Sequence, residues 1–194
     1  GCTRGLGSGM DAVAEITQLL HRAEQGDEAS LDAVFHALYP ELRQLAAARL
    51  RGNQDTLSPT VLVNEFYLRL HDGGPLSLNS RRHFFAAAAK AMRWIIVDQA
   101  RRRSAAKRGG GLVEVTLSER ISGKSQDEEV LALHEGLDAL DAISPRRREI
   151  VELRYFGGFE FREVAELIGC SERTAKREWA HARAFLHAWL AESV

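Results

Sequence analysis

Apolar residues recur at helical spacing along almost the whole chain, and glycine or proline interrupts them wherever a helix must end. Val13, Ile16, Leu19 and Leu20 open the pattern, and Gly26 stops it. Leu31, Val34, Phe35, Leu38, Leu42, Leu45 and Leu50 carry a second helix from Ala29 to Leu50, which Pro40 should kink or restart and Gly52-Asn53 should end. A stripe that returns every ~3.6 residues covers one face of a helix and cannot line one face of a strand. Only Val113, Val115 and Leu117 alternate, and one short strand without a partner reads as extended chain. The fold class is therefore all-α.

The later helices are announced by their caps. Ser58-Pro59 and Ser144-Pro145 each place a hydroxyl where it can accept from orphan amides, followed by a proline that loses no bond in the first turn. The first opens a helix through Leu62, Phe66 and Leu70 to Asp72, broken by Gly73-Gly74-Pro75. The second opens a helix to Tyr155, broken by Gly157-Gly158. Between them, Phe84, Phe85, Ala88, Met92, Ile95 and Ile96 mark a helix from about Ser80 to Ser104, and Val130, Leu133, Leu137 and Leu140 mark another from about Asp127. Gly109-Gly110-Gly111 and the polar stretch to Gln126 read as a flexible linker, which divides the chain into two small helical domains. The first nine residues, GCTRGLGSG, lack periodicity and read as a vector remnant ahead of Met10.

Charge is segregated along this frame. The net charge is −5 over residues 10–80, +8 over 81–108, −6 over 109–144 and +1 over 145–194, although the whole chain sums to −1. A strongly basic block between acidic flanks is the footprint of a polyanion-binding face. Its centre, Lys90-Ala-Met-Arg-Trp-Ile-Ile-Val-Asp-Gln-Ala-Arg-Arg-Arg, sets basic side chains and Trp94 on one helix. Arginines hold phosphates and an aromatic ring can stack on an unpaired base, while Trp94 serves equally well as core.

The segment Phe161 to Arg177 has the form of a helix-turn-helix: a short helix, Gly169 for the turn, Ser171 as cap, then a polar helix. Ala165 is small where the helices cross, and Val164, Ile168, Ala175 and Trp179 should point inward. Glu172, Arg173, Lys176 and Arg177 are then left outward, and arginine there can read guanine with two hydrogen bonds.

Together these segments resemble an extracytoplasmic-function (ECF) sigma factor, the minimal two-domain bacterial transcription initiation factor, from Ile16 to Trp189. The resemblance rests on Leu62-Val-Asn-Glu-Phe-Tyr-Leu-Arg-Leu, Val97-Asp-Gln-Ala-Arg-Arg-Arg, Ser144-Pro-Arg-Arg-Arg-Glu-Ile-Val-Glu-Leu-Arg-Tyr-Phe and the helix-turn-helix ending Arg173-Thr-Ala-Lys-Arg. It implies that residues 10–106 form sigma domain 2, which binds the clamp of the largest subunit of the RNA polymerase core and opens the −10 element. Residues 107–128 would be the linker, threading the RNA exit region, and 129–194 sigma domain 4, which reads the −35 element. The implied −35 contacts are Ser171, Arg173, Thr174, Lys176, Arg177 and Arg183. The implied −10 contacts are Leu76, Ser77, Leu78, Asn79, Ser80, Arg81 and Arg82 in a loop, with Lys90, Arg93, Trp94, Arg101, Arg102 and Arg103 on the helix. Core-binding positions are Leu62, Asn64, Glu65, Tyr67 and Arg69.

One departure stands out. Where the family carries an acidic run of the type Asp-Ala-Glu-Asp, this chain has Ser58-Pro59-Thr60-Val61. It resembles a subgroup with Thr-Leu-x-Pro-Thr there, for which Ser/Thr kinase control has been proposed, so Thr60, Thr56 and Ser58 are phosphorylation candidates. A Ser/Thr protein kinase is then the expected controlling partner ahead of an anti-sigma protein. No enzyme is expected, because no histidine pair has ligand spacing with a cysteine or carboxylate cluster and no glycine-rich phosphate loop follows a strand; neither metal nor cofactor is implied. No run of about 18 apolar residues exists to span a membrane. Two cysteines are too few for a disulfide framework, which points to a reducing, cytoplasmic setting, and Cys170 reads as a small packed residue. The competing reading is a stand-alone helix-turn-helix regulator with a ligand-sensing N-terminal domain, against which the +8 helix argues. A third, an anti-sigma-like partner-binding protein, would lack the basic recognition helix.

Overall fold

A computed structural model of the chain describes residues 8–50, 57–72, 79–108 and 126–192. The elements, all helical among the described residues, are α1 (Ser8–Glu24), α2 (Glu28–Arg49), α3 (Pro59–Asp72), α4 (Arg81–Arg108), α5 (Gln126–Ile143), α6 (Pro145–Val151) with a π-helical turn at Glu152–Phe156, α7 (Phe161–Ile168) and α8 (Glu172–Glu192). Two of the expected caps are in place: Ser58 Oγ accepts from Val61 N at 3.2 Å, and Ser144 Oγ accepts from Arg147 N at 3.4 Å. The second helix has a cap that its sequence pattern did not single out, Asp27, which accepts from the Ser30 amide and hydroxyl.

Pro40 does not restart α2, which runs through it for 22 residues. The proline is exposed, and Phe35 and Leu38 before it and Leu42 and Ala46 after it share one buried stripe. Packing on that stripe keeps the two halves in register despite the missing amide.

Contacts group the chain into two compact units, Gly1–Ala91 and Met92–Val194, and the division falls inside α4. The segment read as a linker lies mostly at 109–125, outside the described residues; Lys107 and Arg108 close α4, and α5 opens at Gln126. In the first unit the centre is aromatic. Phe35 of α2, Phe66 of α3 and Phe84 of α4 meet with ring centroids 5.4, 5.7 and 5.9 Å apart, and all are buried. Each such ring contributes about 1.5–3 kcal/mol by leaving water. In the second unit Leu137, Leu140, Val151, Ala182 and Leu186 form the core, with Leu133, Phe156, Trp179 and Phe185 around it. Gly136 is needed there: a Cβ would come within 2.8 Å of the Trp189 ring.

Candidate nucleic-acid interface

The helix-turn-helix forms as its sequence dictates. Gly169 ends α7 at φ +72°, where a side chain would be strained, and Cys170 N donates to Ala165 O at 2.9 Å. Ser171 Oγ then accepts from Thr174 N at 3.1 Å, which starts α8. Val164, Ala165 and Ala175 are buried at the crossing, while Ile168 and Trp179 are half-buried, with Trp179 edge-on to Phe161. Ser171, Glu172, Arg173, Lys176, Arg177 and Arg183 are exposed and Thr174 is half-buried.

The basic side chains on this face differ in how they are held. Lys176 Nζ lies 2.6 Å from Glu172 Oε1, one turn away, and 5.8 Å over the Phe161 ring. Arg177 donates to Glu178 Oε1 at 3.2 and 3.3 Å, and the other oxygen of Glu178 accepts from Arg147 Nε at 2.8 Å. The Arg147 hydrogen bond holds the Glu178 carboxyl below the usual carboxylate range, helped by Arg177. Exposed pairs of this kind hold by no more than about 1 kcal/mol each, so a nucleic-acid phosphate can replace them.

The basic helix α4 is divided. Lys90, Arg101 and Arg102 are exposed, with Arg102 paired to Asp98 at 2.8 Å. Arg93 is 3% exposed: its guanidinium donates to Glu152 Oε1 at 2.6 Å and meets His134 Nδ1 at 3.0 Å. Trp94 is half-buried, its ring edge-on to His134 at 4.8 Å and under the Arg93 guanidinium at 5.0 Å. Arg103 makes hydrogen bonds of 2.6, 3.0 and 3.1 Å to the Asp127 carboxylate. Of the loop assigned to the −10 element, Leu76, Ser77 and Leu78 lie outside the described residues. Asn79 is exposed, and Ser80 starts α4 by accepting from His83 N at 3.3 Å through Oγ and from Phe84 N through its carbonyl. Arg81 pairs with Glu41 at 3.0 Å, and Arg82 is half-buried.

On α3, Asn64, Glu65 and Arg69 are exposed, Leu62 is fully buried, and Tyr67 is half-buried with its hydroxyl donating to Asp32 at 2.6 Å. Leu62 therefore belongs to the core and presents no side chain to a partner. Val61, the last residue of the run at 58–61, and Leu68, which the sequence reading did not single out, are 45% and 53% exposed and lie seven residues apart on one helical face beside Glu65. Their signal was legible as apolar residues off the Leu62–Phe66–Leu70 stripe. The sequence reading also passed over Glu152, Asp127 and His134, the groups that hold Arg93, Trp94 and Arg103. The signal for Glu152 was a carboxylate inside the apolar run Ile150-Val151-Glu152-Leu153.

His134 gives the second unit a pH dependence. It is 2% exposed, and burial first, then Arg93, Arg101 and Arg148, push its pKa below the ordinary value, with Asp138 opposing. The folded chain takes up a proton on this ring less readily than the unfolded chain, which does so as pH falls through about 6.5. Stability is thus fully present above that pH and lost below it. Urea denaturation of the second unit is expected to show a midpoint that falls between about pH 7 and pH 5, and His134→Gln to flatten that slope. An unchanged slope in the variant would assign the titration to another group.

A capped, basic helix-turn-helix in the second unit, with an arginine-rich helix earlier in the chain, is an arrangement that helical nucleic-acid-binding proteins use. The model of the ECF sigma factor family matches residues 13–192, and the chain belongs to that family. Its members are non-enzymatic sigma factors that bind the RNA polymerase core and promoter DNA and act in transcription initiation. No curated protein matches the sequence. Among the described residues no helix is long and apolar enough to cross a membrane, and no cluster of metal-ligating side chains occurs.

Proposed function

We propose that residues 10–106 bind the polymerase clamp and the −10 element, that 107–128 link them onward, and that 129–194 read the −35 element, with Thr60 as a phosphorylation switch. The observation that carries the reading is the first turn and a half of α8. There Arg173, Lys176 and Arg177 stand exposed on a helix that Gly169 and Ser171 orient against α7. This is the geometry in which a recognition helix offers its N-terminal residues to the major groove.

Arg173→Ala and Arg177→Ala are each expected to cost roughly 1–3 kcal/mol in binding to a promoter fragment and to relax specificity at one base pair. Lys176→Ala should weaken all sequences alike and lower the salt slope by about 1. Fragment binding and run-off transcription with core polymerase read both effects. Wild-type binding by both arginine variants overturns the −35 assignment.

Thr60 lies second in α3, half-buried, next to the helix amides and beyond the Ser58 hydroxyl that caps them. A phosphate there adds roughly −1.5 to −2 charge at the positive end of the helix dipole. That restores the negative charge missing from Ser58-Pro59-Thr60-Val61, the surface that basic clamp residues would meet. Ser58 is a poorer site because its hydroxyl is used as the cap, and Thr56 lies outside the described residues. A Ser/Thr kinase is the partner this switch requires. Thr60→Ala should abolish activity in cells with the helical circular dichroism unchanged, and Thr60→Glu should restore part of it. Tight binding of unphosphorylated chain to core polymerase, with transcription, overturns the switch and leaves the family assignment intact.

A further inference from the structure

Three of the side chains that the reading of α4 assigns to a promoter strand are already engaged by other groups of this chain. Arg103 offers its guanidinium to Asp127 through three hydrogen bonds, a pattern that guanidinium groups also use on phosphate. Arg93 gives its guanidinium to Glu152 and His134, where both charged side chains are nearly removed from water, at 3% and 8% exposure. Trp94 spends its ring on His134 and Arg93. Arg148 packs onto the same group, reaching Glu152 at 3.3 Å, Asp141 at 3.1 Å and Asp138 at 3.3 Å, so Glu152 is fixed from its own helix as well. In sequence, the +8 block of 81–108 is complemented by the −6 block of 109–144.

We propose that Asp127 and Glu152 act as intramolecular substitutes for DNA phosphates, closing the strand-binding face of α4 until nucleic acid displaces them. A guanidinium fork satisfies one carboxylate or one phosphate at a time, so the strand and the acidic groups compete for Arg103 and Arg93. Arg101 and Arg102 stay exposed on the same helix and give a strand its first hold before the buried pairs open. Observed affinity is then the intrinsic affinity reduced by the fraction of chains that are open. The inference rests on the proposed role of α4 in binding the −10 strand.

The test uses the full chain and a short fluorescein-labelled single strand of mixed sequence, followed by fluorescence anisotropy. Asp127 is itself buried, at 7% exposure, but its partner Arg103 is half-buried, so Asp127→Asn opens the closure and leaves unpaired only a guanidinium that water still reaches. It is expected to raise affinity roughly tenfold, the effect of a tenfold rise in the open fraction. Glu135→Gln on the same helix, exposed and outside the closure, removes the same charge and should change affinity by less than about twofold. Amide hydrogen exchange of 93–103 should be faster in Asp127→Asn than in the wild type, and unchanged in Glu135→Gln. Equal affinity gains in the two variants, or unaltered exchange in Asp127→Asn, overturn the proposal. Arg101→Ala and Arg102→Ala separate the premise: if neither weakens strand binding, the reading of α4 itself fails. If both weaken it while Asp127→Asn behaves as Glu135→Gln does, only the closure fails.

Discussion

Glu152→Ala is expected to cost the second unit about 3–5 kcal/mol, the largest effect of any single charged residue among the described residues. The carboxylate is buried and takes the Arg93 guanidinium at 2.6 Å and that of Arg148 at 3.3 Å. Removing it strands Arg93 in the interior, where burial already pulls the guanidinium pKa down and Glu152 supplies the opposing force. The cost lies in the uncompensated charge, and not in the strength of the pair. The double replacement Arg93→Met, Glu152→Leu should therefore recover most of the loss, or exceed wild-type stability, because apolar side chains of similar volume need no desolvation of charge. Urea denaturation followed by circular dichroism measures both. A loss below about 1 kcal/mol in Glu152→Ala would mean that water reaches Arg93 and that the pair behaves like an exposed one.

Gly157→Ala is the second large effect, at about 3 kcal/mol. Gly157 follows the π-helical turn, and its amide donates to Glu152 O at 2.8 Å. Its φ of −78° would suit any residue, so conformational freedom is not the reason for glycine. A Cβ would lie 2.5 Å from Leu153 O and 2.5 Å from the buried Phe159 ring, and the first of these is backbone that cannot step aside. Gly169 supplies the contrast. Nothing lies within 4 Å of its Cβ position, and only its φ of +72° resists a side chain, so Gly169→Ala should cost about 1 kcal/mol. If thermal unfolding ranks these two variants the other way, the π-helical turn relaxes more readily than its contacts imply.

Most of the secondary structure was legible because each helix advertises its own ends. Ser58-Pro59, Ser144-Pro145, Gly169 and Ser171 act on amides within three residues of themselves, so a linear reading finds them. The exposed face of α8 was legible for the same reason: with Val164, Ala165 and Ala175 inward, helical geometry alone puts Arg173, Lys176 and Arg177 outward. Pro40 and α4 show where local rules stop. Pro40 was expected to interrupt α2, but a stripe buried on both sides of it outweighed one lost hydrogen bond. On α4, Lys90, Arg93, Arg101 and Arg103 look alike in sequence, yet Lys90 and Arg101 face solvent while Arg93 is buried and Arg103 is half-buried and tied to Asp127.

By itself, then, the sequence determined the helices, their caps, the helix-turn-helix and the family, because hydrophobic period, turn chemistry and charge blocks are properties of neighbouring residues. Only the tertiary structure decided which basic side chains remain available. Arg93 meets Glu152 across 59 residues and Arg103 meets Asp127 across 24. Whether a guanidinium faces water or a carboxylate is set by which helix the fold brings against it, and helical periodicity carries no information about that partner.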